Sequence, residues 1–223
     1  MEIIKINRDE AFRYMGYKTG DIGSKILEFT DDCEKALLKA VKPRYIYRVF
    51  DVERSNDGIG VKNTSLVLKG KDISEHLKDC QRCVLMCATI SADVDRLIRS
   101  YEAVDMTKAF IADCLASAVI EQVCNQAEIE IKSKLEGCNF TWRFSPGYGD
   151  FPIDIQSEFI EILEAPKRIG VNTSASLTLI PRKSVTAVIG LSENEISRGK
   201  RGCVCCNMRD RCEFRKRGER CGI

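Results

Sequence analysis

One long helical pattern constrains the fold of this chain more than any other stretch. Between Asp105 and Leu135 an apolar residue recurs at every fourth position, which places a single stripe along one helix. The residues of this stripe are Leu115, Val119, Val123, Ala127, Ile131 and Leu135. Gly137 follows as a typical helix stop. The sequence therefore predicts one long amphipathic helix in the middle of the chain.

The other patterns mix helices and strands without a regular βαβ alternation. Helices are predicted at 7–15, 24–41, 72–79 and about 153–164, and strands at 45–52, 65–68, 82–90, 168–173, 175–180 and 184–191. The run Asn56-Asp57-Gly58 is a hairpin signal after the first strand, and Pro166 is expected to interrupt regular structure. This order favours an α+β domain with a mainly antiparallel sheet.

Length and overall composition indicate a chain that folds by itself. The 223 residues are 44% hydrophobic, which is enough for a substantial core. We expect residues 1–197 to form the main domain, with 1–43 as its helical N-terminal part, and 198–223 to form a tail. The N-terminus has no signal-peptide core, and no apolar run approaches the roughly 20 residues of a membrane span. A cytoplasmic location is therefore expected.

The net charge of +2 does not steer the chain towards nucleic acid or anionic membranes, but the charge is unevenly spread. Residues 198–223 hold nine Lys or Arg against three Asp or Glu, so the tail carries +6 and the remainder −4. Twelve cysteines in a cytoplasmic chain argue for reduced thiols or bound metal and against a disulfide framework. Four tail cysteines, with Cys205 as a further candidate, could surround zinc or an iron–sulfur cluster: Cys203, Cys206, Cys212 and Cys221. The alternative is a flexible, oxidation-prone tail.

The remaining cysteines and the single histidine carry no clear chemical pattern. Cys83 and Cys87 fall in the predicted strand at 82–90, so we expect both to act as small core residues. His76 lies on a short polar helix, where a surface position is expected. The sequence contains no P-loop, GxGxxG or GxSxG segment. No catalytic residue is assigned.

The segment Trp142–Pro152 places a cation, turn residues and an aromatic ring within a few positions. Arg143 offers a planar set of donors suited to a carboxylate. Pro146 fixes its own φ, and Gly147 can take positive φ and has no side chain to keep a ligand away. These properties indicate an anion-binding turn, while the plain alternative is the end of a strand.

The same segment supports a family resemblance. The run Arg143-Phe144-Ser145-Pro146-Gly147-Tyr148, followed by Pro152, resembles the Arg-x-x-Pro-Gly-Tyr-x-x-x-Pro signature of the activation domain of cobalamin-dependent methionine synthase. Residues 108–118 are similar to the long helix before that signature, and residues 175–188 to the strands after it. The run Pro181-Arg182-Lys183-Ser184-Val185 is similar to small stand-alone relatives found beside methionine synthases that lack their own activation module. The resemblance implies a curved antiparallel sheet whose shallow groove binds S-adenosylmethionine.

The resemblance also implies roles for individual residues. Arg143 would pair with the methionyl carboxylate, Ser145 and Gly147 would offer backbone groups, and Tyr148 would line the groove on the side that faces the corrin.

Two departures from the family pattern stand beside these matches. A family Glu on the long helix matches Ser117, so Glu121, one turn further on, is the candidate substitute and a further S-adenosylmethionine-binding residue. The family commonly has Pro-Ala-Cys-Pro after the Tyr, whereas this chain has Gly149-Asp150-Phe151-Pro152.

The function that the resemblance implies is that of an accessory subunit. The chain would present the methyl group of S-adenosylmethionine to cob(II)alamin on a methionine synthase that lacks its own activation domain, with a flavodoxin or ferredoxin as electron donor. Because the residues around His76 do not form the Asp-x-His-x-x-Gly motif that ligates cobalt, the cobalamin must arrive on another protein. An iron–sulfur cluster in the tail could relay the electron.

The alternative is a binding module whose metal-stabilised basic tail contacts nucleic acid or protein. Nucleic acid is disfavoured, because Phe214 is the only aromatic residue of the tail and the remainder of the chain is acidic.

Overall fold

A computed structural model describes residue 3 and residues 5–17, 22–196 and 210–216. Its helices are α1 (Arg8–Tyr14), α2 (Ser24–Ala40), α3 (Lys71–His76), α4 (Ala92–Glu102), α5 (Met106–Lys134), α6 (Gln156–Ile162), α7 (Ala165–Ile169) and α8 (Glu213–Lys216). Its strands are β1 (Arg44–Ser55), β2 (Gly58–Val61), β3 (Val67–Leu68), β4 (Arg82–Thr89), β5 (Asn139–Phe140), β6 (Asn172–Thr173), β7 (Leu179–Ile180) and β8 (Ser184–Ser192).

Six of the described strands form one sheet in the order β3-β2-β1-β4-β8-β5, and β6 and β7 form a separate antiparallel pair. The β1–β2, β2–β3 and β5–β8 pairs are antiparallel. Ser55 faces Gly58 across the hairpin turn, as the Asn56-Asp57-Gly58 signal predicts. The fold is α+β with an antiparallel sheet and a long helix, which confirms the predicted fold class.

The chain divides into two compact units. The first contains residues 1–46, 87–131 and 164–185, and the second contains residues 47–86, 132–163 and 186–223. In the first unit α2 packs against α4, with Leu37 of α2 and Val94 of α4 fully buried. In the second unit the core includes Val84 and Leu85 of β4, Val188 and Leu191 of β8, and the aromatic side chains Phe151 and Phe159.

Helix α5 confirms the predicted long helix but is buried over more of its surface than a single stripe would require. Leu115, Val119, Val123 and Ala127 are fully buried, as the pattern predicts. Residues off this stripe are buried as well, among them Cys114, Ala118 and Cys124. A helix that is apolar on several faces is a core helix rather than a surface one. Within the described ranges, no helix is both long enough and apolar enough to cross a membrane.

The buried cysteines confirm one prediction about chemistry. Cys83 and Cys87 of β4 have no exposed surface. Burial raises the pKa of the Cys83 thiol to about 12 and also raises that of Cys87. Both side chains are therefore neutral thiols that pack as small hydrophobic groups, and neither is suited to act as a nucleophile or metal ligand.

The region around Pro166 differs from the prediction. A strand was predicted at 168–173, but residues 165–169 form α7, and only Asn172 and Thr173 form a strand. Pro166 lies in the first turn of α7, where the missing backbone N–H removes no helical hydrogen bond. Helix α6 ends at Ile162, before Pro166, as predicted, but the proline then begins a helix and not the predicted strand.

A close backbone approach at Gly190 in the second unit generates the first testable prediction. A Cβ atom at Gly190 would overlap Cys80 Sγ and lie 2.8 Å from Leu77 Cδ2 and 3.0 Å from Thr141 Cγ2. We expect Gly190→Ala to lower the free energy of unfolding by about 1–3 kcal/mol, because the buried neighbours must move. Urea denaturation measures this change.

Gly60→Ala is the matched control, since Gly60 also lies in a strand and its added Cβ would meet only Glu53 O, at an ordinary 3.6 Å. Equal losses of stability in the two variants would contradict the close approach at Gly190.

Candidate functional site

The residues 143–151, called here the site loop, begin with a tight turn. The N–H of Tyr148 donates to the carbonyl oxygen of Ser145 at 3.2 Å, and Gly147 has φ +91°. A type II turn needs positive φ at its third residue and favours proline at its second, which is the order Pro146-Gly147. The predicted roles of Pro146 and Gly147 in the turn are confirmed.

Further backbone hydrogen bonds fix the shape of the site loop. The N–H of Phe151 donates to Tyr148 O at 3.0 Å, and the N–H of Gly147 donates to Phe151 O at 2.8 Å. At its start, Phe144 exchanges two hydrogen bonds with Val188 of β8, at 2.9 and 2.8 Å. The loop is therefore attached to the sheet at Phe144 and closed on itself at Phe151.

Asp150 joins the end of the site loop to helix α3. Its carboxylate accepts the N–H groups of Lys71 (2.7 Å) and Asp72 (2.9 Å), the first two residues of that helix. In return, Asp72 Oδ2 accepts the N–H of Asp150 at 3.2 Å. The N–H of Asp72, and next that of Lys71, lower the pKa of the Asp150 carboxyl. The contact replaces hydrogen bonds that the first turn of a helix cannot make internally.

His76, at the last turn of α3, is buried beneath the start of the site loop and is only 8% exposed. Its ring centroid lies 5.1 Å from that of Trp142, edge-on, and 5.1 Å from that of Phe144, stacked. The expected surface position was therefore wrong. Although α3 is rich in charged residues, Ile73, His76 and Leu77 at its end are buried. Their spacing of three and four positions places them on one face of a helix, and this is the sequence signal for the burial of His76.

The protonation of His76 follows from its contacts. Nε2 lies 3.0 Å from the carbonyl oxygen of Trp142 and 2.8 Å from Thr141 Oγ1. Because a carbonyl oxygen only accepts hydrogen bonds, Nε2 carries the proton. Burial lowers the pKa of His76 to about 4, and the bond to Trp142 O acts in the opposite direction. The ring is therefore neutral at pH 7.

Four of the predicted ligand-binding residues lie together in the site loop. Arg143 and Ser145 are half-buried, Gly147 is exposed, and Tyr148 is 68% exposed. A Cβ on Gly147 would lie 3.3 Å from Ile153 Cδ1, the one neighbour within 4 Å, so the glycine keeps this exposed position free of a side chain. The assignment of these residues to S-adenosylmethionine stays a prediction.

The fifth predicted residue, Glu121, belongs to the first unit, on α5. It is half-buried and lies near Tyr14, whose pKa is raised by burial first, then by Glu10, with a smaller contribution from Glu121. Ser117, one turn earlier, accepts a hydrogen bond from Lys183 Nζ at 2.8 Å. Lys183 also pairs with Asp113 at 2.9 Å. The position that matches the family Glu is thus occupied by a serine bonded to a lysine.

The tail prediction falls almost wholly outside the described residues. Cys203, Cys206 and Cys221 are not described, and Cys212 is half-buried just before α8. Among the residues that the structure does describe, no three His, Cys, Asp or Glu side chains are grouped to hold a metal ion. The zinc or iron–sulfur site stays a prediction.

Comparison with known proteins identifies the fold. No protein-family model and no curated protein matches the chain. Among solved structures, a crystal structure of the MetH reactivation domain bound to AdoHcy is similar, with a TM-score of 0.63 and 16% sequence identity. The match covers 96% of this chain and 82% of that one. The chain therefore has the fold of a MetH reactivation domain, as the resemblance of its sequence implied.

The buried histidine predicts how stability depends on pH. The folded pKa of about 4 lies below the unfolded value of 6.5, so between these values the unfolded chain binds a proton that the folded chain does not. The contribution of His76 to the free energy of unfolding is fully present above pH 6.5 and is lost as the pH decreases towards 4. We expect a loss of about 1.4 kcal/mol per pH unit from this group. Urea denaturation monitored by the single tryptophan, Trp142, measures it.

His76→Gln is the control, since this is the only histidine in the chain and glutamine can still donate to Trp142 O. The variant should lose the dependence between pH 6.5 and 4. An unchanged slope would show that His76 is not the responsible group.

Proposed function

We propose that this chain binds S-adenosylmethionine at the site loop and serves as the reactivation partner of a cobalamin-dependent methionine synthase. The observation that carries the proposal is the geometry at Arg143–Tyr148, where a half-buried arginine precedes an exposed glycine at positive φ. The fold supports it, because the similar MetH reactivation domain was crystallised with AdoHcy.

The residues of the site loop fit the chemistry of this ligand. S-adenosylmethionine and S-adenosylhomocysteine both carry an amino-acid carboxylate, which matches the fork of donors on Arg143. Gly147 allows the ligand to approach its backbone, since no side chain intervenes. In this proposal Ser145 offers a backbone group to the ligand.

The reaction requires an electron donor and a second protein. One electron from a flavodoxin or ferredoxin reduces cob(II)alamin on the partner, and the sulfonium methyl group is then transferred to the reduced cobalt. S-adenosylhomocysteine is released. The present chain contributes binding and orientation of the methyl donor, so it acts as an accessory subunit. The exposed ring of Tyr148 lies on the surface that would face the corrin.

Removal of the guanidinium tests the ligand site. We expect Arg143→Ala to weaken binding of S-adenosylmethionine and S-adenosylhomocysteine by at least about tenfold, because hydrogen bonds to a charged carboxylate are lost. Isothermal titration calorimetry with the full chain measures the dissociation constants. Arg168→Ala is the control, since Arg168 is a surface arginine paired with Glu164 and lies in the first unit. Equal affinities of the two variants would exclude Arg143 from the site.

Reactivation in trans tests the partnership. The chain is mixed with a methionine synthase that lacks its activation domain and holds cob(II)alamin, together with S-adenosylmethionine and reduced flavodoxin. We expect loss of the cob(II)alamin absorbance and formation of S-adenosylhomocysteine in equal amounts. Omitting the chain or the flavodoxin should stop both. If the chain binds the ligand but leaves the cobalamin unchanged, the partnership is wrong and the ligand assignment remains.

A further inference from the structure

We infer that α3 is the element that positions the site loop, with His76 and Asp72 as positioning residues that hold its two ends. The expected effect on ligand affinity rests on the proposed function, whereas the expected effect on the order of the site loop does not. All residues involved belong to the second unit, so the inference concerns one compact body.

His76 fixes the residue that precedes the site loop. Its Nε2–H donates to Trp142 O, the carbonyl of the peptide bond that leads into Arg143. Thr141 Oγ1 donates to the same carbonyl at 3.1 Å and accepts the N–H of Gly190 at 2.7 Å. The carbonyl is therefore held from α3 and, through Thr141, from β8. A carbonyl that accepts from two donors is strongly oriented, and this orients the peptide plane that it shares with the N–H of Arg143.

Asp72 fixes the other end. It accepts the N–H of Asp150, while the Asp150 carboxylate accepts two N–H groups of α3. The approach is close, because a Cβ on Gly149 would overlap the Asp72 carboxylate and one on Gly70 would lie 2.7 Å from Asp150 Oδ1. Glycine at both positions permits this contact. The Gly149-Asp150 pair, which departs from the family pattern, thus has a defined role in this chain.

The two contacts come from the same side of one short helix. Asp72 and His76 are four residues apart, so they lie one above the other along α3. They hold Asp150 and Trp142, which flank the residues 143–149. The hydrogen bonds within the loop fix its shape, and its contacts with α3 and β8 contribute to its place on the second unit. We expect the position of Arg143 relative to Gly147 to depend on α3.

Asp72 provides the decisive variant because its side chain is exposed, so its removal does not hollow the core. Asp72→Ala is compared with Asp72→Asn, which can still accept the Asp150 N–H, and with Glu75→Ala. Glu75 is also an exposed acid on α3, and it pairs with Lys78. Hydrogen exchange of residues 143–151, measured by mass spectrometry without ligand, should accelerate about tenfold in Asp72→Ala only.

The affinity for S-adenosylhomocysteine is then measured by calorimetry. We expect Asp72→Ala to weaken binding about five- to tenfold and Asp72→Asn to restore it to within about twofold, although neither side chain is assigned to the ligand. Faster exchange with unchanged affinity would overturn the positioning role. Equal exchange in Asp72→Ala and Glu75→Ala would overturn the inference whether or not a ligand binds.

His76 is tested through the single tryptophan. Acrylamide quenching of Trp142 fluorescence at pH 7.5 should increase in His76→Leu, which cannot donate to the Trp142 carbonyl, and stay near the wild-type value in His76→Gln. Similar quenching in His76→Leu and His76→Gln would show that the hydrogen bond from residue 76 does not position Trp142. If the wild-type chain binds no S-adenosylhomocysteine, the proposed function fails, while loop exchange and Trp142 quenching still decide whether α3 holds the loop.

Discussion

The second unit depends on one buried hydrogen-bonded centre, formed by Thr141, His76 and the Trp142 carbonyl. Thr141 exchanges hydrogen bonds with Gly190 of β8, and its hydroxyl lies 2.8 Å from His76 Nε2. Buried polar groups are stable only when their partners are present, so the three segments must come together at the same time. Gly190 must lack a side chain for this approach, and His76 must stay neutral. One centre thereby determines where the site loop begins.

The parts of the site that sequence predicts are those that depend on local geometry. Pro146 and Gly147 form the predicted turn because φ preferences act within a few residues. The long helix is also predictable, because its apolar residues repeat at helical spacing over many turns. The burial of His76 has only a weak local signal, the spacing of Ile73, His76 and Leu77, because the rings that cover it lie more than 60 positions away in sequence. Pro166 shows the remaining ambiguity, as proline both ends and begins helices.

The departures from the family pattern have different consequences in the two units. In the second unit, Asp150 bonds to the start of α3, and Phe151 is buried with its ring 5.9 Å from that of Phe144. Asp150 and Phe151, which depart from the family pattern, thus stabilise the site loop through a hydrogen bond and a buried ring. In the first unit, Ser117 accepts a hydrogen bond from Lys183 where the family has a carboxylate. A change from an acid to a serine bonded to a lysine alters the local charge of the first unit.

A fold likeness at 16% identity leaves the ligand to be argued from side chains. The site loop supports such an argument because its backbone is held by its own turns, by β8 and by α3. A loop held in this way loses little conformational entropy when a small ligand binds, so a few polar contacts suffice for affinity. The ring of Tyr148 is exposed on this ordered loop. In the proposed function, the ordered backbone would bind the small ligand and the exposed ring of Tyr148 would face the partner protein.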